Sequence, residues 1–257
     1  MRLVEPVLKP RVWGSRDLRA WYPDAAARTE PIGEAWLSPE NCPVLVKLLF
    51  PRERLSVQVH PDDAYAAAHG LGRGKSEAWY VVSAEPGAQV GVGLRAGVSF
   101  TDLEAACRAG RGAGMLHWFE VHAGEVITVP AGTVHAIGGG SVLLEVQQPS
   151  DTTFRLDDYG RGRELHLEPG MEVARQTDGG RCAAATSGLL LHTPFFQLWR
   201  WEGPVRIGAA DEARWLVNLT SGGTIPRGWL AELAAGESFE QAEAATIMEV
   251  RAGQEWG

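Results

Sequence analysis

The residues best equipped for chemistry in this 257-residue chain are Gln58, His60, Glu77 and His135, with Lys75 and Arg155 beside them. Gln58 and His60 stand two apart in the alternating stretch Leu55-Ser56-Val57-Gln58-Val59-His60. On a strand, Ser56, Gln58 and His60 then share one face. Glu77 lies in Gly74-Lys75-Ser76-Glu77-Ala78-Trp79-Tyr80, where an extended backbone puts Lys75 on the same face as Glu77. His135 closes a Gly124-x5-Pro130-x-Gly132-x2-His135 run. Either histidine alone reads as a structural residue, though two imidazoles, a carboxylate and an amide are all of metal-ligand type.

These side chains must be positioned mainly by strands and turns. Pro43 to Phe50, Val121 to Val129 and Ser141 to Gln148 read as strands, as do Thr193 to Glu202 and Arg214 to Thr220. Helical signals are short. Asp62 to His69 is an Ala-rich helix closed by Gly70, Ser15 to Leu18 opens a turn or two, and Thr101-Asp102-Leu103-Glu104 is a capping box. A linker is expected over Glu168 to Gly180, where Pro169-Gly170 and Asp178-Gly179-Gly180 punctuate polar residues. Ala235-Gly236-Glu237 echoes Ala123-Gly124-Glu125, as though one β unit occurs twice.

Composition sets the limits. Hydrophobic residues are 45% and charged residues 22%, ordinary for a globular protein. The 31 Gly, 15 Pro and 10 Trp suit a turn-rich all-β fold. The net charge of -8 makes nucleic acid and anionic membranes poor partners, while a small anion in a locally basic pocket stays possible. Cys42, Cys107 and Cys182 are too far apart for a CxxC site and read as reduced thiols. With no apolar run at Met1-Arg2-Leu3-Val4-Glu5-Pro6, the expected location is cytoplasmic.

The Gly-x5-Pro-x-Gly-x2-His run resembles the second motif of the cupin superfamily. Gln58-Val59-His60-Pro61 followed by a helical insertion and Gly74-Lys75-x-Glu77-x-Trp79 resembles one branch of it, the short bacterial form of type I mannose-6-phosphate isomerase. Further blocks carry the likeness. They are Lys9-Pro10-Arg11-Val12-Trp13-Gly14, Ile32-Gly33-Glu34-Ala35-Trp36, Glu145-Val146-Gln147-Gln148-Pro149-Ser150-Asp151-Thr152-Thr153-Phe154-Arg155 and Arg163-Glu164-Leu165-His166-Leu167, within roughly residues 5 to 168.

The resemblance implies an all-β cupin jelly-roll barrel with short helical insertions and a second, smaller β-barrel-like unit. Residues 1–170 would form the catalytic domain and residues 171–257 a metal-free one that covers an end of the barrel. It implies one zinc ion per chain on Gln58, His60, Glu77 and His135, although the same donors suit other divalent metals. A neutral Gln ligand would keep that metal more electrophilic than a second carboxylate. It further implies interconversion of mannose 6-phosphate and fructose 6-phosphate through a cis-enediol. Arg155 would stabilise enediolate oxygens, Lys75 and Glu145 are candidates for proton transfer, and Lys47 and Ser56 resemble phosphate contacts. Trp13, Trp36 and Trp79 would line the pocket. Glu145 could instead pair with Arg155. A small phosphorylated sugar is the expected partner, with neither nucleic acid nor membrane, in a monomer or weak homodimer. Two rivals are an Fe(II) oxygenase using His60, Glu77 and His135, and a non-catalytic sugar-phosphate-binding cupin.

Overall fold

The computed structural model describes residues 1–23, 25, 29–177, 179–183 and 187–254, with the side chains of residues 182 and 183 excepted. Asp178 of the expected linker and the Cys182 thiol thus lie outside the described residues; Cys42 and Cys107 are free and buried. The fold is all-β and cupin-like. No described helix is long and apolar enough to cross a membrane.

Contacts divide the chain into two units of nearly equal length. One comprises Pro51–Leu143 and Gln147–Cys182, the other Met1–Phe50, Leu144–Val146 and Ala183–Gly257. This differs from a linear division at residue 170, and the reason lies at the N-terminus. The strand Arg2–Val4 pairs antiparallel with Leu230–Leu233, and Tyr22 donates its hydroxyl to the Gly228 carbonyl at 2.8 Å. The first fifty residues therefore belong with the C-terminal segment.

The unit that carries His60, Glu77 and His135 contains a five-stranded sheet in the order Phe154–Asp157, Val57–Val59, His135–Ile137, Gln89–Leu94, Leu116–Glu120. Val57, Val59, Ala136, Phe154 and Leu156 send their side chains to one face. There they pack on Leu103 and Cys107 of the helix Phe100–Arg108 and on Val173, at the end of the helix Leu167–Val173. Alternation sends their neighbours to the opposite face, and the register aligns them. Gln58 is directly opposite His135 on one side and Arg155 on the other. Such cross-strand partners share a face, so three polar side chains form one row across three strands. A second strand, Glu77–Ala84, pairs with Glu125–Val129 and sets Glu77 opposite Val129.

The helices begin where side chains satisfy their free N–H groups. Asp62 caps Asp63–Ala68 by accepting from the Tyr65 N–H at 2.8 Å. The capping box of Phe100–Arg108 is built from Ser99 and Asp102, two residues before the expected Thr101 and Glu104. Both quartets offer a hydroxyl and an acid three residues on, and the earlier pair takes the cap. The expected linker over residues 168–180 is in part a helix. Pro169 falls in the first turn, where its missing N–H breaks no helical bond. Gly170 lets that helix press onto the sheet, since a Cβ there would lie 2.4 Å from Leu156 Cδ2. Over Ser15 to Leu18, expected to open a helix, the strand Val7–Ser15 ends in a bend at residue 16, and a turn follows only over residues 19–21.

The other unit holds a six-stranded antiparallel sheet with a core of Val205, Leu216, Ala231, Leu233, Phe239 and Ile247, and the successive strands Val7–Ser15, Ile32–Trp36 and Leu45–Leu49. The sequence echo folds alike in both units. Glu125 accepts from the His122 N–H at 2.8 Å and Glu237 from the Ala234 N–H at 2.9 Å, each across a glycine with positive φ.

Candidate metal centre

His60, Glu77 and His135 are 1%, 3% and 0% exposed, and one ligand atom from each lies within 4.8 Å of the others. Glu77 spans the pair, with Oε2 at 3.4 Å from His60 Nε2 and Oε1 at 3.4 Å from His135 Nε2. Backbone carbonyls set the tautomers. His60 Nδ1 donates to Thr152 at 3.0 Å and His135 Nδ1 to Thr133 at 2.9 Å, which turns both Nε2 lone pairs inward. Burial keeps both rings neutral, lowering His135 and taking His60 down to about 3 with help from the Lys75 charge. Burial alone would raise Glu77, but the Lys75 ammonium 3.3 Å away holds it well below the usual carboxylate range.

The donor set fits a metal ion. Both Glu77 oxygens and His135 Nε2 are buried without a hydrogen-bond partner. Buried polar atoms are costly to leave unpaired, and three that converge on one point suit a single divalent cation. Gln58 shares their face through its register with His135. Trp79, fully buried, walls the site with its ring centroid 5.5 Å from that of His135.

Lys75 enters the cluster as the sequence suggests. It is 4% exposed, and its Nζ donates to His60 Nε2 at 3.1 Å and lies 3.3 Å from Glu77 Oε2. Arg155 Nη1 donates to the Glu164 carbonyl at 2.7 Å, while its buried Nε is unpartnered. Ser56 is buried in the same unit.

Lys47, Glu145 and Trp13 belong to the other unit. Lys47 Nζ meets Glu145 at 3.0 Å, both buried, so these two residues form an ion pair. The ammonium also stands 5.0 Å from the Trp36 ring centroid. Trp36 Nε1 donates to Glu34 at 2.7 Å, and Arg11 grips the same carboxylate at 2.8 and 3.0 Å. Trp13 is buried and packs over Gly33, where a Cβ would come within 2.7 Å of its ring. The Thr152 and Thr133 carbonyls had no signal in the sequence, because any residue type offers one. Asp63, Ser76 and Gln148 support the site as well and looked like ordinary polar residues.

An all-β, cupin-like fold that gathers two tautomer-fixed histidines and a carboxylate, with Gln58 in register beside His135, presents a candidate metal site. No family model matches the chain. The mannose-6-phosphate isomerase of Streptococcus mutans is 41% identical over 62% of the chain, and the match spans 54% of that protein, about half its length. The probable mannose-6-phosphate isomerase GmuF of Bacillus subtilis is 29% identical over 92% of this chain and 91% of its own. The solved structure of the Bacillus subtilis mannose 6-phosphate isomerase superposes with a TM-score of 0.85 at 25% identity, covering 97% of this chain and 98% of that one. The chain belongs to the type I mannose-6-phosphate isomerase family.

Proposed function

We propose that the chain interconverts mannose 6-phosphate and fructose 6-phosphate through a cis-enediol, with one zinc ion held by Gln58, His60, Glu77 and His135. The observation that carries this reading is the buried Glu77 carboxylate, both oxygens without a hydrogen bond between two inward-facing imidazoles, with Lys75 Nζ ion-paired to it in the same cluster. When bound, the metal would polarise the substrate oxygens and offset negative charge as it develops.

The chain's own residues do the rest. Isomerisation takes a proton from C2, returns one to C1 and redistributes the hydroxyl protons between O1 and O2. Lys75 is the proton carrier favoured by its place beside His60 and Glu77. Arg155, in the same cross-strand row as Gln58 and His135, steadies the enediolate oxygens with charge-assisted hydrogen bonds. Ser56, buried in the unit that carries the metal ligands, serves the phosphate.

The test is a coupled assay for fructose 6-phosphate on purified protein with zinc occupancy measured in the same sample. Product should form, and Arg155→Ala should slow turnover by about 10²–10³-fold, the scale for losing one preorganised donor. Zinc-loaded protein that forms no product, or an unchanged Arg155→Ala rate, refutes the mechanism.

A further inference from the structure

One network outside the cluster ties together every segment that carries its charged or imidazole groups. In Lys75-Ser76-Glu77, alternation turns Ser76 away from the site. On that outer side Gln148 holds it at both backbone groups: the Ser76 N–H donates to Gln148 Oε1 at 2.9 Å, and the Gln148 N–H donates to the Ser76 carbonyl at 3.1 Å. Gln148 Nε2 then donates to Asp63 Oδ2 at 2.9 Å, while Asp63 Oδ1 accepts from the Gly74 N–H at 2.9 Å and faces Arg73 Nε at 3.3 Å. The Lys75 N–H donates to the Pro61 carbonyl at 2.9 Å, next to His60. Ser76 Oγ accepts from the Ala131 N–H at 3.1 Å, in the turn leading to His135. Gly74 is required by the same contact, since a Cβ there would lie 2.5 Å from the Asp63 backbone nitrogen.

We propose that Gln148 is a positioning residue, locked by Asp63, that fixes the Lys75–Glu77 segment so that Lys75 Nζ and the Glu77 carboxylate meet His60 and His135. This rests on the metal-and-lysine reading above. The place demands an amide. One end must accept from a backbone N–H and the other must donate to a carboxylate, and among side chains of this length only glutamine offers both in one planar group. The buried Gln148 is thereby oriented without ambiguity.

Donor direction makes the idea testable by exchange. Gln148→Glu sets two carboxylates against each other. Asp63→Asn sets two amide donors against each other, because the new amide must keep its oxygen toward the Gly74 N–H. The double variant restores one donor and one acceptor with the polarity reversed. Full-length proteins would be compared for zinc affinity by competition with a fluorescent chelator, and for kcat and KM on mannose 6-phosphate. Each single variant should bind zinc about 10–100-fold more weakly and lose kcat by a similar factor, the usual effect of disturbing the groups behind metal ligands. KM should stay unchanged. The double variant should recover most of both losses. The idea is overturned if Gln148→Glu binds zinc like the wild type, if the exchange recovers nothing, or if only the melting temperature moves. Asp63 has a side chain 40% exposed, so Asp63→Asn should fold even if Gln148→Glu does not, and its comparison with the double variant then decides. If the wild type lacks isomerase activity, the function fails, while the chelator competition still reads the clamp.

Discussion

Lys75→Met separates the roles of lysine and metal in the same cluster. The substitution keeps an apolar stem and deletes the ammonium that lies 3.3 Å from Glu77 Oε2. In chelator, that ammonium is the cation offsetting a carboxylate that is almost fully buried. Without it, Glu77 either keeps an uncompensated charge or takes up a proton. Protonation at pH 7 from an ordinary value of 4.5 spans about 2.5 pH units at about 1.36 kcal/mol each, or about 3.4 kcal/mol. That figure sets the scale of the loss and falls within the 3–5 kcal/mol range for removing one partner of a buried pair. At about 2–4 °C per kcal/mol, the metal-free variant should melt roughly 7–14 °C below the wild type. Zinc should reverse the order of sensitivity, because it supplies the missing charge and no longer competes with an ammonium for His60 Nε2. The zinc-induced rise in melting temperature should therefore be larger in Lys75→Met by about the deficit seen in chelator. Equal melting temperatures in chelator, or equal zinc increments in the two proteins, would refute the account of the cluster.

The pH dependence follows from the same burial. His60 is held down to about 3 and His135 is lowered, whereas in the unfolded chain both titrate near 6.5. Below about 6.5 the unfolded state binds protons the native site refuses, so metal-free stability should fall on acidification from 6.5 toward 3, by up to about 1.4 kcal/mol per pH unit for each histidine. Glu77, also held low, adds its own loss only below 4.5. Melts at pH 7.5 and 5.5 in chelator check this, and a pH-independent melting temperature counts against neutral buried imidazoles. Gly170→Ala should cost about 1–3 kcal/mol by forcing the helix Leu167–Val173 off Leu156, measurable by urea titration. If the variant is as stable as the wild type, that helix is not seated as tightly as its 2.4 Å approach requires.

Where a pattern constrained one strand face, the sequence was sufficient. The alternation around Gln58 and His60 placed both on the polar face, and the register with His135 and Arg155 agrees with it. The Lys75-Ser76-Glu77 spacing likewise brought lysine and carboxylate into one cluster. What escaped depended on partners distant in sequence. Nothing local in Glu145 says that it meets Lys47 across 98 residues. Nothing in Arg2–Val4 announces Leu230–Leu233 as its neighbour, and so the domain boundary was not legible. Pro169-Gly170 looked like a linker because punctuation residues signal turns on average, whereas a helix's first turn and a tight packing contact accommodate both. Gln148 looked like any polar residue until its two amide atoms had a backbone and a carboxylate to serve.

The electrostatics of the cluster bear on what the protein can bind. With both imidazoles neutral, the charges of Lys75 and Glu77 cancel, so a bound divalent ion would leave the site with the full charge of the metal. In the other unit, Lys9, Arg11 and Lys47 share one strand region with two carboxylates, Glu34 and Glu145, leaving a local positive excess. Both features sit within a chain whose overall charge is -8. The global field repels long polyanions over many Debye lengths of backbone, but a single phosphate feels the nearest few charges much more than the distant surface. An acidic chain with locally cationic clusters therefore disfavours long polyanions more strongly than it disfavours a small phosphorylated ligand.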